Sequence, residues 1–409
     1  MTFSAQRGNE KLAGNCSSAF LKLGFATRAA QLFRFHMEPD PNLDPISKEE
    51  RRRVFWGIHL QDRLMSLSRE RPPILRDEDC SVHLPCSDEA FHANRYEEAP
   101  SLAFLLGDGA EGDCVEKCAP LALIPVMVSG LNRVSEYVLQ DRNYILSPSP
   151  WLSNSPFAKI ESFLSSIEMH FDLSEPLEDT LERVAVKDGT LDHFTASPIL
   201  YARALYSLSQ CLLHHPFLLK DRLQKMQQKL PSRFMNRVWR TCRLHAKLIT
   251  DIRRVRNGNV LILTCFYGYC TMMAGTIHAL SQHDDDPVVR EEASKNFEAD
   301  LRFMRELSSY WQHAALIVSP FRKPLIFCLS KHLKHMLTPF SPSRRADWSD
   351  STNTVPGTST RSCGPIHLIR KPTPKNRLRR SGKQWITGRF PCPLARTVLL
   401  TNPQPSQKA

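Results

Sequence analysis

The stretch from Ser47 to Pro73, SKEERRRVFWGIHLQDRLMSLSRERPP, constrains the fold more than any other part of this chain. Ser47 and Glu50 have the spacing of a capping box, which predicts a helix starting at Ser47. Val54, Ile58, Gln61 and Met65 recur at helical spacing, and Phe55, Leu64 and Leu67 widen that stripe. Arg51, Arg52 and Arg53 crowd the first turns and cover more than half of the helix circumference, so at least one is expected to turn inward and pair. Asp62 falls on the side expected to be buried. A buried carboxylate without a partner is costly, and Arg71 in the following Arg-Pro-Pro turn is the partner the sequence offers. Helix and turn together read as a corner of a helical domain held by polar contacts.

The remainder of the chain reads as a series of helices. They are expected at Ala19–Phe35, Ser47–Ser68, Leu121–Leu139, Pro156–Phe171, Glu178–Val186, Pro198–His214, Ser232–Arg256, Val260–Leu280, Pro287–Val318 and Pro324–Leu337. No stretch shows convincing strand alternation and no repeat of fixed period is present. The fold class is therefore all-α, a multi-helix domain with buried polar pins. Arg71 to Pro100 reads as irregular chain punctuated by Pro72, Pro73 and Pro85. Three parts are expected: a polar N-terminal segment over 1–18, a helical domain over 19–340, and a basic tail over 341–409.

Charge supports that division. Pro342 to Ala409 holds thirteen Lys or Arg against two Asp, which is +11 of the total +12. The helical part is thus almost neutral and composition assigns it no polyanion-binding face. The tail is rich in Ser, Thr and Pro and is expected to be disordered. Its cluster Arg370, Lys371, Lys375, Arg377, Arg379 and Arg380 reads as a nuclear localisation signal or a charged end. The twelve cysteines contain no C-x-x-C, and the nearest pair, Cys114 and Cys118, lacks repeated zinc-site spacing. Val260–Leu280 has the length of a membrane span, but its Thr, Tyr, Gly and His residues fit a buried core helix.

No pattern supports an enzyme. Gly107, Gly109 and Gly112 match G-x-G-x-x-G, yet Asp108, Glu111 and Asp113 would repel a pyrophosphate and no βαβ context surrounds them. His214 and His215 are adjacent and point different ways on a helix, so they do not form a metal pair. Asp284, Asp285 and Asp286 lack the spaced ligands of a calcium loop. Trp56 and Trp239 read as core residues. No catalytic, cofactor-binding or metal-binding residue is assigned.

The order Arg51-Arg52-Arg53-Val54-Phe55-Trp56, Asp62-Arg63, Arg71-Pro72-Pro73 and Leu84-Pro85 resembles the middle homology region of fungal binuclear zinc-cluster transcription factors, of xylanolytic-activator type. Leu23–Gln31 upstream, and Ala204–Tyr206 with Leu212–Leu219 downstream, fit the same family pattern. The resemblance spans roughly Phe20 to Pro339. It implies a nuclear regulatory and interaction domain in DNA-templated transcription, with protein partners or a homodimer. It marks Arg51, Arg52, Arg53, Phe55, Trp56, Asp62, Arg63, Arg71, Pro72 and Pro73 as the family signature. Relatives carry zinc in a six-cysteine cluster ahead of this domain. That cluster is not found here, so the chain is expected to be truncated at its front and to reach DNA only through the missing cluster or a partner. The alternative reading is a helical ligand-sensing module, with an apolar metabolite as effector near Phe55, Trp56 and Trp239.

Overall fold

Asp44 starts the helix that the rest of the signature builds on. In the computed structural model, which describes residues 10–67, 72–107, 118–140, 147–187, 189–225, 231–254 and 265–310, its carboxylate accepts the Ser47 N–H at 3.0 Å. Pro45 occupies the first helical position, where its missing N–H costs nothing. The helix, α2, therefore runs Pro45–Met65, and the expected Ser47–Glu50 box is replaced by an aspartate cap further upstream. It follows α1 (Glu10–Leu32) and precedes two short helices, α3 (Asp88–His92) and α4 (Leu102–Leu106). Both short helices lie in chain expected to be irregular or left unassigned, and each is capped by a serine, Ser87 and Ser101.

The buried face of α2 differs from the expected stripe. Val54 is 50% exposed, whereas Phe55, Trp56, His59, Leu60, Asp62 and Arg63 are all buried. Ile58, Gln61 and Met65 are only partly covered. The seam is shifted around the helix because His59, Asp62 and Arg63 have polar partners inside the fold.

Eight further α-helices complete the described residues: α5 (Leu123–Ser135), α6 (Pro156–His170), α7 (Leu177–Ala185), α8 (His193–Leu213), α9 (Pro216–Lys225), α10 (Ser232–Arg254), α11 (Cys265–Ser281) and α12 (Pro287–Tyr310). Helix α5 passes into a π-helical turn over Glu136–Gln140. One minimal hairpin, β1 (Val186–Lys187) with β2 (Thr190–Leu191), interrupts the series. Its turn contains Gly189 at φ 72°, a value glycine adopts without a Cβ clash.

Helix α8 is the centre. It packs along α5 and α10, and also meets α11, α7 and α6. Its side chains are buried on nearly all sides from Ala204 to Leu213, as expected of a helix surrounded by others. Burying one Leu of this kind stabilises the fold by roughly 2 kcal/mol. It begins five residues before Pro198, capped by Asp192, whose carboxylate takes the Phe194 N–H at 3.0 Å. Close helix approach is set by Gly130 on α5, where a Cβ would lie 3.2 Å from the Leu164 side chain of α6. Helix α11 replaces the expected Val260–Leu280 helix from Cys265 onward, with residues 260–264 outside the described set. It buries Cys270, Thr271, Ala274 and Ile277, and among the described residues no helix is long and apolar enough to cross a membrane.

Three helix ends use a left-handed residue that is not glycine: Arg34 (φ 55°), Asn94 (φ 50°) and Asp172 (φ 47°). Each closes a Schellman turn. After α1, Phe35 N–H reaches Ala30 O at 2.8 Å and Arg34 N–H reaches Gln31 O at 3.1 Å. An exposed arginine in this conformation carries a steric cost that glycine lacks. Arg34→Gly is expected to raise stability by roughly 0.5–1 kcal/mol in urea unfolding; an unchanged or lowered midpoint would contradict the Schellman reading.

Candidate functional site

The signature residues gather where α2 meets the extended chain of residues 72–101. Asp62 is held by backbone amides. Its Oδ2 accepts the backbone N–H groups of Ile74 at 2.8 Å and Leu75 at 2.9 Å, just past Pro72 and Pro73. Arg71, expected to pair with it, lies outside the described residues. Pro72 is exposed and Pro73 partly buried. The two prolines stiffen the chain into the turn that presents these amides.

One turn earlier, Trp56 Nε1–H donates to His83 O at 2.8 Å. Its ring packs edge-on against Phe55, with centroids 5.2 Å apart, and against His59. Arg63 Nη2 donates to Asp77 Oδ1 at 2.7 Å, and His59 Nε2 meets the same oxygen at 3.0 Å. Burial alone would raise the Asp77 carboxyl, but the His59 hydrogen bond and the Arg63 charge outweigh it and hold it well below the usual range. Burial lowers His59, even with Asp77 beside it.

The three consecutive arginines diverge. Arg51 turns outward enough to place its guanidinium 4.9 Å from the centre of the Phe35 ring. Arg52 is buried and pairs with Glu38 and Glu49. Glu38 also accepts the His83 N–H at 2.9 Å. Arg53 spans Glu49 at 2.7 Å and Asp88 at 2.5 Å, donates to Cys86 O at 3.2 Å, and lies 4.3 Å over the Phe91 ring. Glu49, almost fully buried, also accepts the Cys86 N–H at 3.1 Å. Arg52, Arg53 and Arg63 are thus turned to carboxylates and carbonyls of the same domain rather than held out for phosphate, while Arg51 stacks on a ring.

Sequence reasoning missed Glu38, Glu49, His59, Asp77 and Asp88. Glu49 carried a readable signal in its four-residue spacing to Arg53. The others come from separate segments joined only by folding. Burial pushes the thiols of Cys80 and Cys86 up to about 12, with Asp77 and Glu49 adding to it, so both remain protonated.

A second polar seam runs between α6, α8 and α10. Tyr206 Oη donates to Glu168 at 3.0 Å and accepts from Gln210 at 2.8 Å. His214 meets Glu161 at 3.3 Å, while His215 points elsewhere and meets Thr276 of α11 at 3.4 Å. Asp284 pairs with Arg243 at 2.8 Å and Asp286 caps the Val288 N–H, so the acidic run is a helix-entry turn. Gly107 terminates α4, so the apolar run before it is helical and not a strand; Gly109 and Gly112 lie outside the described residues. No group of three metal-ligating side chains converges among the described residues, and the described cysteines do not fit a zinc cluster. The two best-formed hollows among them each have room for about 10 Å³, one water's worth. Phe55 and Trp56 fill their surroundings, and Trp239 packs half-buried against the same core. Arg370, Lys371, Lys375, Arg377, Arg379 and Arg380 lie outside the described residues.

Fold and corner together define an all-helical domain closed by an inward-turned arginine–carboxylate cluster. Residues 9–117, which contain that corner, match the model of the fungal specific transcription factor domain. Over 313 residues it is 23% identical to the Zn(2)-C6 fungal-type transcription factor FTF1c of Fusarium oxysporum f. sp. lycopersici, covering 70% of this chain and 32% of that protein. It is 23% identical over 308 residues to FTF2 of the same organism, covering 70% and 28%. A transcriptional regulatory protein of Schizosaccharomyces pombe is 22% identical over 307 residues, covering 74% and 35%. The chain spans about a third of the length of these relatives. No solved structure matches it.

Two predictions follow from the geometry. Asp62→Ala strands two inward-facing amides and is expected to cost about 2–4 kcal/mol in urea unfolding, while Asp62→Asn, which keeps an acceptor, costs about 1 kcal/mol; equal losses would show that the charge and not the acceptor matters. Burial also lowers His215 to about 4 and His245 to about 3. Below about pH 6.5 the unfolded chain takes up protons that these folded histidines refuse. Stability should therefore fall as pH drops from 6.5 toward 4, and His245→Phe should reduce that slope by about one proton. A melting temperature independent of pH across this window would contradict the assignment.

Proposed function

We propose that this chain is the regulatory and interaction part of a fungal transcription regulator, acting in the nucleus through protein partners or as a homodimer. The family match over the arginine-bearing helix supports the transcriptional setting. The inward engagement of Arg52, Arg53 and Arg63 carries the rest of the reading: the signature builds a scaffold and leaves base reading to a zinc cluster or to a partner. On this reading residues 19–340 form one regulatory domain. The signature residues Arg51, Arg52, Arg53, Phe55, Trp56, Asp62, Arg63, Arg71, Pro72 and Pro73 maintain its shape. The basic cluster from Arg370 to Arg380 directs it to the nucleus, a role supported by its charge density.

The test joins the full chain to an unrelated DNA-binding module upstream of a reporter. The tethered chain is expected to change reporter output by several-fold, and Asp62→Ala to abolish the change. The untethered chain should bind duplexes of different sequence within about threefold of one another, because phosphate contacts alone carry no sequence information. Discrimination of about a thousandfold by the chain alone, the level of specific readers, would overturn the proposal.

A further inference from the structure

Helix α1 presents large apolar side chains outward as well as inward. On its inner side Thr27 and Ala30 are buried and Phe20, Leu23 and Ala26 are partly covered. Its outer side carries large apolar ones. Leu21 is 72% exposed, Phe25 79% and Leu32 77%, with Phe33 at 63% in the turn beyond. Leu21, Phe25, Arg28 and Leu32 follow the i, i+4, i+7, i+11 spacing of one helical face. Beside them, a Cβ on Gly24 would meet nothing within 4 Å. Large apolar side chains aligned outward along one helical face mark a surface built to be covered.

The charges around that face are of one sign. Between Glu10 and Glu38 the sequence holds Lys11, Lys22, Arg28 and Arg34 and no Asp or Glu. Arg28 lies along the face, exposed, with its Nη1 on Gln31 at 2.9 Å. Of the nearest acids further along, Glu38 is engaged by Arg52 and the His83 amide, Asp40 accepts from Asn42, and Asp44 caps α2. A second copy would bring these cations against one another, which disfavours self-pairing.

We propose that the outer face of α1 is a docking site for an acidic amphipathic helix of another protein. Leu21, Phe25 and Leu32 take the apolar stripe of the partner, and Arg28 and Arg34 face carboxylates on its flanks. The proposal names the partner chemistry for the regulatory reading above and rests on it for its setting.

The experiment titrates the purified full chain with a labelled synthetic peptide of about 18 residues, with Leu or Phe at i, i+3, i+4 and i+7 and Glu at the remaining positions, read by fluorescence anisotropy. Binding is expected with a Kd on the order of 10 µM. The triple variant Leu21→Ser, Phe25→Ser, Leu32→Ser should weaken it at least about tenfold with an unchanged melting temperature. Arg28→Glu should weaken it about threefold at low salt, a difference that disappears at high salt. No binding, or equal binding of a matched peptide with Lys in place of Glu, would overturn the proposal. So would displacement of the peptide by anionic lipid vesicles or duplex DNA. Concentration-dependent self-association relieved by the triple variant would assign the face to a second copy. A lowered melting temperature in that variant would assign it to another segment of this chain; either result sinks the proposal. Peptide binding without a reporter response in the tethered chain would fault the regulatory reading alone, and the reverse would fault this proposal alone.

Discussion

Several backbone amides of the chain after Pro73 have no partner in a sheet or helix, and carboxylates on α2 and just ahead of it receive them. Asp62 takes two, Glu49 takes Cys86, and Glu38, held in place by Arg52, takes His83. Buried amides left without acceptors would each cost about 1–3 kcal/mol, so these contacts decide whether the segment can lie against the helix at all. Trp56 adds the reverse contact, giving its N–H to a carbonyl of the same segment. Arg53 and Arg63 then balance the charge that the carboxylates bring inside. A buried ion pair is weak evidence of net stability, but removing one partner from such a group is expensive. The corner is therefore an arrangement in which each member justifies the burial of the next.

That arrangement explains why a helix with three consecutive arginines belongs to a domain with almost no net charge. The arginines serve geometry: one stacks on Phe35, one is buried between two glutamates, and one ties α2 to α3 through Asp88. Behind the corner, α8 is enclosed by α5, α6, α10 and α11, and its polar side chains Tyr206 and Gln210 bond to each other and to Glu168. The domain thus combines an apolar centre with polar contacts that fix how its helices register.

Much of this was legible in the residues. Long periodic helices such as α2, α6, α8 and α10 announced themselves through apolar spacing, and the crowding of Arg51, Arg52 and Arg53 required an inward partner. The buried face of α2 was not legible. Periodicity counts Val54 as core and passes over His59 and Arg63, whereas the fold exposes Val54 and buries both; the burial of Asp62 was expected, but not its amide partners at Ile74 and Leu75. Helix ends were obscured for a local reason: Arg34, Asn94 and Asp172 occupy positions where glycine is the usual signal. The start of α8 was masked by Pro198, which reads as a first-turn residue but stands a turn inside a helix capped by Asp192. The hairpin at Gly189 is too short to show alternation, although Asp188-Gly189 is itself a turn signal.

Asp62 and Glu49 of α2, with Glu38 ahead of it, hold the segment after Pro73 through its backbone amides. Native-state hydrogen exchange, resolved by residue, tests this most directly at Ile74, Leu75, His83 and Cys86. The account predicts protection of these amides close to that of the α8 core, since each is released only when the corner opens. Exchange as fast as that of an exposed loop, with α8 still protected, would show that the carboxylates do not bind the segment and would remove the basis for the corner.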